Sequence, residues 1–192
     1  ASTSAQQTGR DRAAARPGTR DGRPVRTAVS GPPAVSVIDA AGNPLSGVAC
    51  ACAVASGGGQ VAGPSQLTDA NGLAHPTSWT LGSAAGSTSV PASVTGTLTG
   101  NPVTFTADGL AASANKLTVA TAPPATVPSG APFSTQPAIQ LRDANDNLVS
   151  VSGVVVTVDM SGGGALNGTK TAATSASGLA SFTDLSISGH IG

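Results

Sequence analysis

Two stretches of this chain spell the same local structure. Val35-Ser-Val-Ile-Asp-Ala-Ala-Gly-Asn-Pro-Leu-Ser-Gly-Val48 returns, in degenerate form, as Ala138-Ile-Gln-Leu-Arg-Asp-Ala-Asn-Asp-Asn-Leu-Val149. In each, apolar residues alternate (Val35 and Val37; Ile139 and Leu141) and then give way to Asp, Asn and Gly, which supply the turn geometry that joins two strands. The chain is therefore read as a repeated β unit.

The spacing of the copies, about 105 residues, divides the 192 residues into two domains rather than one. Only 9% of the residues are charged, with 25 Gly and 14 Pro, a balance that also occurs in disordered chains. Positive mean hydropathy and alternating Val/Thr runs favour strands instead. The zero formal net charge hides an asymmetry. Arg10, Arg12, Arg16, Arg20, Arg23 and Arg26 all precede residue 27, after which three cations face seven aspartates, a net charge of −4. A basic arm of this kind can attract nucleic acid or anionic lipid. With no aromatic residues among its arginines it reads instead as a solvated tail, and no nucleic-acid partner is expected.

Cys50 and Cys52, the only cysteines, lie two apart on an expected strand, on one face and about 6.6 Å apart by strand rise. That is near the upper limit for a disulfide, so they are read as buried thiols acting as small apolar residues. No run of 18 apolar residues exists, so no membrane insertion is expected within the chain. It starts with Ala1 and its first thirty residues have no apolar core, so no signal peptide is read there and the sequence is taken as processed or a fragment.

Residues 1–31 show no apolar period and are expected to be a disordered basic linker or terminus. From there strands are expected over 34–38, 48–54, 60–67, 73–81, 87–94 and 103–106, at the spacing of an antiparallel sandwich. Trp79, the only Trp, is expected to be the largest core side chain, with a sugar-stacking platform as the competing reading. A second unit starts with the alternating Lys116-Leu-Thr-Val-Ala120 and a Pro-rich segment. Its pieces then align in order with the first copy: Ser56-Gly-Gly-Gly59 with Ser161-Gly-Gly-Gly164, Thr68-Asp-Ala-Asn-Gly-Leu-Ala74 with Thr174-Ser-Ala-Ser-Gly-Leu-Ala180, and Trp79-Thr-Leu-Gly82 with Leu185-Ser-Ile-Ser188. Nothing in the second copy answers to Val90, Val94 and Val103-Thr-Phe105, and nothing in the first is seen to answer to 117–132. The domains are read as 32–113 and 114–192, the second incomplete at its C-terminal end, leaving an edge open to self-association or to a donated strand.

The order Asp39-Ala-Ala-Gly-Asn-Pro-Leu-Ser-Gly-Val48, Ser56-Gly-Gly-Gly59, Thr68-Asp-Ala-Asn-Gly-Leu-Ala74, Trp79-Thr-Leu-Gly82 and Gly100-Asn-Pro-Val-Thr-Phe-Thr-Ala107 resembles bacterial immunoglobulin-like repeats of the invasin/intimin type. Phe133-Ser-Thr-Gln-Pro-Ala138 and Phe182-Thr-Asp-Leu-Ser-Ile-Ser-Gly189 are similar to related repeats of long bacterial surface proteins. The resemblance covers 34–192 and implies an all-β fold of tandem Ig-like sandwiches, exported to the extracellular side or the bacterial cell surface. Cys52 in place of a bulkier apolar residue, Asp146 in place of the turn Gly and Leu148 in place of Pro depart from the pattern.

Chemistry is sparse. Gly57-x-Gly59-x-x-Ala62 superficially matches a dinucleotide fingerprint, but Pro64 and a β pattern follow where a helix is needed. The oxygen-rich Asp143-Ala-Asn-Asp-Asn147 suits Ca²⁺ and resembles both a cadherin calcium segment and the first half of an EF-hand loop. Leu148 and Val154 replace the Gly and Glu of that loop, so a plain turn is expected. His75 and His190 lie in no nucleophile motif, and no carboxylate pair marks an acid and a base. No catalytic, cofactor-binding or metal-ligating residue is assigned, and no enzyme is expected. The function expected is a structural and adhesive spacer whose partners are neighbouring repeats and a host-cell or surface protein or glycan. The alternative is an accessory module of a secreted carbohydrate-active or carbohydrate-binding protein.

Overall fold

The computed structural model describes residues 12–16 and 22–189. They contain strands and turns and no helix, and divide into two units, the first ending at Leu110 and the second starting at Ala111.

The first unit has ten strands: β1 Arg12–Arg16, β2 Arg23–Pro24, β3 Ala34–Ile38, β4 Ala49–Cys52, β5 Gly59–Ala62, β6 Ser65–Leu67, β7 Leu73–Ala74, β8 Ser78–Leu81, β9 Gly86–Val94 and β10 Val103–Leu110. One sheet has the order β1-β3-β7 and another β2-β10-β9-β4-β6, while β5 pairs with β8. Alternation does what the sequence demands: along β4 the pattern is exposed, buried, exposed, buried, so Cys50 and Cys52 face inward. Val35 and Val37 from the first sheet, Cys50, Val90, Ala92 and Phe105 from the second, and Trp79 and Leu81 from β8 belong to one core. That is a two-layer, immunoglobulin-like sandwich.

The second unit has seven: β11 Lys116–Thr121, β12 Ala138–Arg142, β13 Val155–Thr157, β14 Ala165–Asn167, β15 Thr171–Ala173, β16 Leu179–Ser181 and β17 Ser186–Ser188. Their orders are β11-β12-β16, β13-β15 and β14-β17. Its core cluster holds Phe133, Val156, Ala180, Phe182 and Leu185, five buried residues against thirteen in the first unit. The difference has a topological cause. β12, β13 and β16 answer to β3, β4 and β7, but among the described residues nothing answers to β9 and β10, the strands that carry Val90, Ala92, Val94, Phe105 and Ala107.

Three expectations need correction. The first concerns residues 1–31. Residues 1–11 and 17–21 lie outside the described residues, but Arg12–Arg16 is a strand whose register on β3, Arg12 opposite Ile38 through Arg16 opposite Ala34, is that of Lys116 opposite Arg142 through Val119 opposite Ile139. Val29 N–H donates to the Trp79 carbonyl as Phe133 N–H does to that of Leu185. Arg12–Arg16 and residues 22–31 thus belong to the first sandwich and supply the counterpart of 117–132 that the sequence reading missed. The boundary accordingly falls after Leu110 rather than after residue 113.

The second and third concern strands read as continuous. The span 60–67 is two strands that belong to different sheets, β5 on β8 and β6 on β4, with Pro64 between them. The span 73–81 divides into β7 and β8 at His75-Pro76, because a buried proline has no N–H to give to a ladder.

Candidate functional site

The residues singled out for chemistry fall at three kinds of place: acidic turns, buried core positions and tight glycine crossings. The Asp143 turn is the most polar. Asp143 ends β12, and its carboxylate turns back on its own backbone. Oδ1 accepts from Asn145 N–H at 2.8 Å and Asn147 N–H at 2.9 Å; Oδ2 accepts from the Asn147 side-chain amide at 2.9 Å and Ala112 N–H at 3.0 Å. The residue is fully buried. Burial raises the carboxyl pKa, but these four donors outweigh it and hold the group at about 2. Each oxygen already has two donors, so the carboxylate has no free lone-pair position for a cation.

Asp39 repeats the arrangement at the end of β3. Its Oδ1 accepts from Ala41 N–H at 2.9 Å and Asn43 N–H at 2.8 Å, and its Oδ2 from the Asn43 side-chain amide at 3.0 Å. The Asn43 amide is the main reason its pKa is lowered. Asp69 binds Asn71 and Leu73 N–H groups in the same manner at 2.8 and 2.9 Å, the Leu73 bond doing most to lower its pKa. These are Asx turns whose donors are the chain's own amides. Among the described residues no group of three or more His, Cys, Asp or Glu stands ready for a metal.

Trp79 is 2% exposed, inside the first core. The reading of it as a sugar-stacking platform is overturned, because a ring enclosed on both faces offers none to a ligand. Its indole N–H has no hydrogen-bond partner. Cys50 and Cys52 are free and buried, and burial raises both thiol pKa values, so they stay protonated and apolar in behaviour. Gly59 has φ +94°, and a Cβ there would lie 2.2 Å from the Thr80 carbonyl oxygen, so the Gly57-x-Gly59 string is a close crossing over β8. Strand β5 follows it, where a dinucleotide site needs a helix. His75 is exposed, with Nδ1 3.3 Å from the Pro76 carbonyl oxygen; His190 lies outside the described residues. A shallow groove of about 580 Å³ runs over the small side chains of Ala49, Ala51, Ser65 and Ser93 and the exposed Leu67, on the outer face of β4, β6 and β9.

The sequence reading missed one pair that the structure places at corresponding points of both units. The Thr68 hydroxyl accepts from Val48 N–H at 2.9 Å and donates to the Leu45 carbonyl at 2.6 Å. The Thr174 hydroxyl accepts from Val154 N–H at 3.0 Å and donates to the Val151 carbonyl at 2.7 Å. Both are buried. The signal was present in the aligned Thr68 and Thr174, but a threonine in a strand-rich chain reads first as a β-former.

No family model and no curated protein matches this sequence. Among solved structures the chain is similar to the D0–D1 domains of intimin, with 14% identity over 93% of this chain and 83% of that one and a TM-score of 0.38. It is similar to invasin, a bacterial integrin-binding protein, with 19% identity over 95% of this chain and 34% of that one and a TM-score of 0.42. Yersinia pseudotuberculosis InvD gives 15% identity, 94% and 53% coverage and a TM-score of 0.47. The chain thus spans about a third of the invasin chain and about half of the InvD chain. Intimin and invasin are the proteins that give their names to the repeat type the ordered motifs resemble.

Proposed function

We propose that this chain is a non-catalytic structural and adhesive repeat region of a secreted or cell-surface bacterial protein, holding a binding part away from the envelope. The observation that carries the reading is the duplication of one scaffold, turn for turn, in the two units. Asp39 and Asp143 build the same turn, Thr68 and Thr174 the same clamp, and the acidic side chains at both places are occupied by backbone amides. What is repeated is a means of making sandwiches, which suits length gained by adding units in series. Its partners are then neighbouring repeats and a protein or glycan on another surface. Small-angle scattering of the full chain tests the spacer reading: an elongated particle about two sandwiches long is expected, and a compact one overturns it.

A further inference from the structure

Cys50 and Cys52 are buried nucleophiles that the proposed function leaves unused. Both belong to β4, which is paired on each side. Cys50 lies opposite Gln66 of β6 and Val94 of β9, Cys52 opposite Ala92 of β9, and Ala51 between them opposite Ser65 and Ser93. Both cysteines are free thiols, 4% and 7% exposed, in one core with Trp79 and Leu81.

The strand that buries them also keeps them apart. On one face of an extended strand the Cβ atoms of residues two apart stand side by side, about 6.6 Å from each other. A disulfide needs them about 3.8 Å apart. Closing that gap curls Ala51 out of the extended conformation, breaks its pairing with Ser65 and Ser93 together and opens the middle of the sheet. In the second unit the same places hold valines: Val158 N–H donates to the Lys170 carbonyl as Cys52 N–H does to that of Pro64, so Val158 answers to Cys52 and Val156 to Cys50. An apolar side chain is thus enough for packing there, and the two sulfur atoms add a chemistry that the fold does not require.

We propose that Cys50 and Cys52 form a redox switch on the folding of the first unit: with two thiols β4 forms and the sandwich closes, and with a Cys50–Cys52 disulfide it does not. The oxidant is a small-molecule disulfide that meets the chain before β4 is in place. The thiolate of one cysteine attacks a sulfur of the reagent and expels a thiolate, giving a mixed disulfide. The second cysteine thiolate then attacks the protein sulfur of that bond and expels the other. The chain loses two electrons and two protons, and the reagent leaves as two thiols; exchange with a reducing thiol runs the same steps backwards. Once the sandwich has closed, both thiols are out of reach and the unit stays reduced in the presence of oxidant. This goes beyond the spacer reading, because it makes one unit of the two conditional on the redox state that the chain meets while folding.

The test uses the full chain. Unfolded in urea, it is oxidised with excess glutathione disulfide, and the monomer that carries the internal disulfide, lighter by the hydrogens of its two thiols, is purified by mass. Urea is then removed and refolding is followed by Trp79 fluorescence, which reports on the core that holds both cysteines. The reduced chain is expected to regain the native emission and the oxidised monomer to fail until a phosphine reductant is added. The C50V/C52V chain, which takes both residues of the second unit, is expected to refold alike with and without the oxidant; C50A/C52A serves the same purpose should the valines not pack. In the folded chain the thiols are expected to react with the reagent on the order of a hundredfold more slowly than in urea. Native emission regained by the oxidised monomer, with its disulfide intact by mass, overturns the proposal. So does failure of both thiol-free chains after the same treatment, absence of an internal disulfide from the unfolded chain at saturating oxidant, or equal thiol reactivity in the folded and unfolded chain. None of these readings depends on the shape of the particle, so they stand or fall apart from the scattering result.

Discussion

Thr68 and Val48 are joined twice: Val48 N–H donates to the Thr68 hydroxyl at 2.9 Å, and Thr68 N–H donates to the Val48 carbonyl at 3.0 Å. With the bond from the hydroxyl to Leu45, the threonine ties the turn before β4 to the end of β6 from a buried position. T68V keeps the volume and removes the hydroxyl, leaving the half-buried Val48 amide and Leu45 carbonyl without that partner. It is expected to lower the stability of the first unit by about 1–3 kcal/mol, with T68S retaining most of it. Urea unfolding followed by Trp79 fluorescence reads this, since the only Trp lies in that unit.

Trp79 supplies the largest side chain of the first core, and Leu185 does the equivalent work in the second at 1% exposure. W79A is expected to cost about 3–5 kcal/mol, and W79L, which borrows the residue of the other copy, about 1–3 kcal/mol. W79F is expected to cost less than its lost area implies, because it also removes the indole N–H that has no partner. Soluble glycans are expected to leave the Trp79 emission unchanged.

Asp143 gives the second unit an acid limit. Its folded pKa of about 2 lies below the value near 3.9 of an unfolded aspartate, so its contribution is present above about pH 4 and is lost as pH falls through 2. Thermal melts from pH 5 to pH 1.5 are expected to show this loss, and D143N to flatten it while lowering stability at pH 7. Titrated calcium is expected to leave the melting temperature unchanged, because both carboxylate oxygens are engaged.

Asp146 occupies the place that Gly42 holds in the first turn, with φ +70° against +89°. A side chain in the left-handed region carries a penalty that glycine lacks. The ion pair from Lys116 to Asp146, at 2.6 Å, joins groups 37% and 70% exposed and contributes little in water. D146G is therefore expected to raise the stability of the second unit by about 0.5 kcal/mol, the strain relieved exceeding the ion pair lost. A loss of about 1 kcal/mol or more by chemical denaturation would show that the surface pair outweighs the backbone term.

What the sequence disclosed was what depends on short-range pattern. The inward face of Cys50 and Cys52 follows from a period of two, the turns at Asp39 and Asp143 from side chains that bind amides two and four residues on, and the role of Trp79 from the scarcity of other large rings. What it concealed depends on pairing far along the chain. Arg12-Ala-Ala-Ala-Arg16 has no strand propensity of its own, and its place is given by β3, whose residues from Ala34 to Ile38 lie opposite Arg16 to Arg12. The division of 60–67 between two sheets is likewise decided by its partners, β8 for one half and β4 for the other. The Thr68 and Thr174 clamps were visible as letters and invisible as bonds.

The clamps and turns act on backbone amides and carbonyls, while the side chains that fill the interior differ from copy to copy: Cys50 against Val156, Trp79 against Leu185, Cys52 against Val158. Outline and filling are thus specified by separate sets of residues. A gene encoding such a unit can drift in its interior, or be recombined with a sister unit at the Asp turn, without losing the path of the chain, and an engineer splicing the first half of one sandwich to the second half of another has a ready-made seam at Asp39 and Asp143.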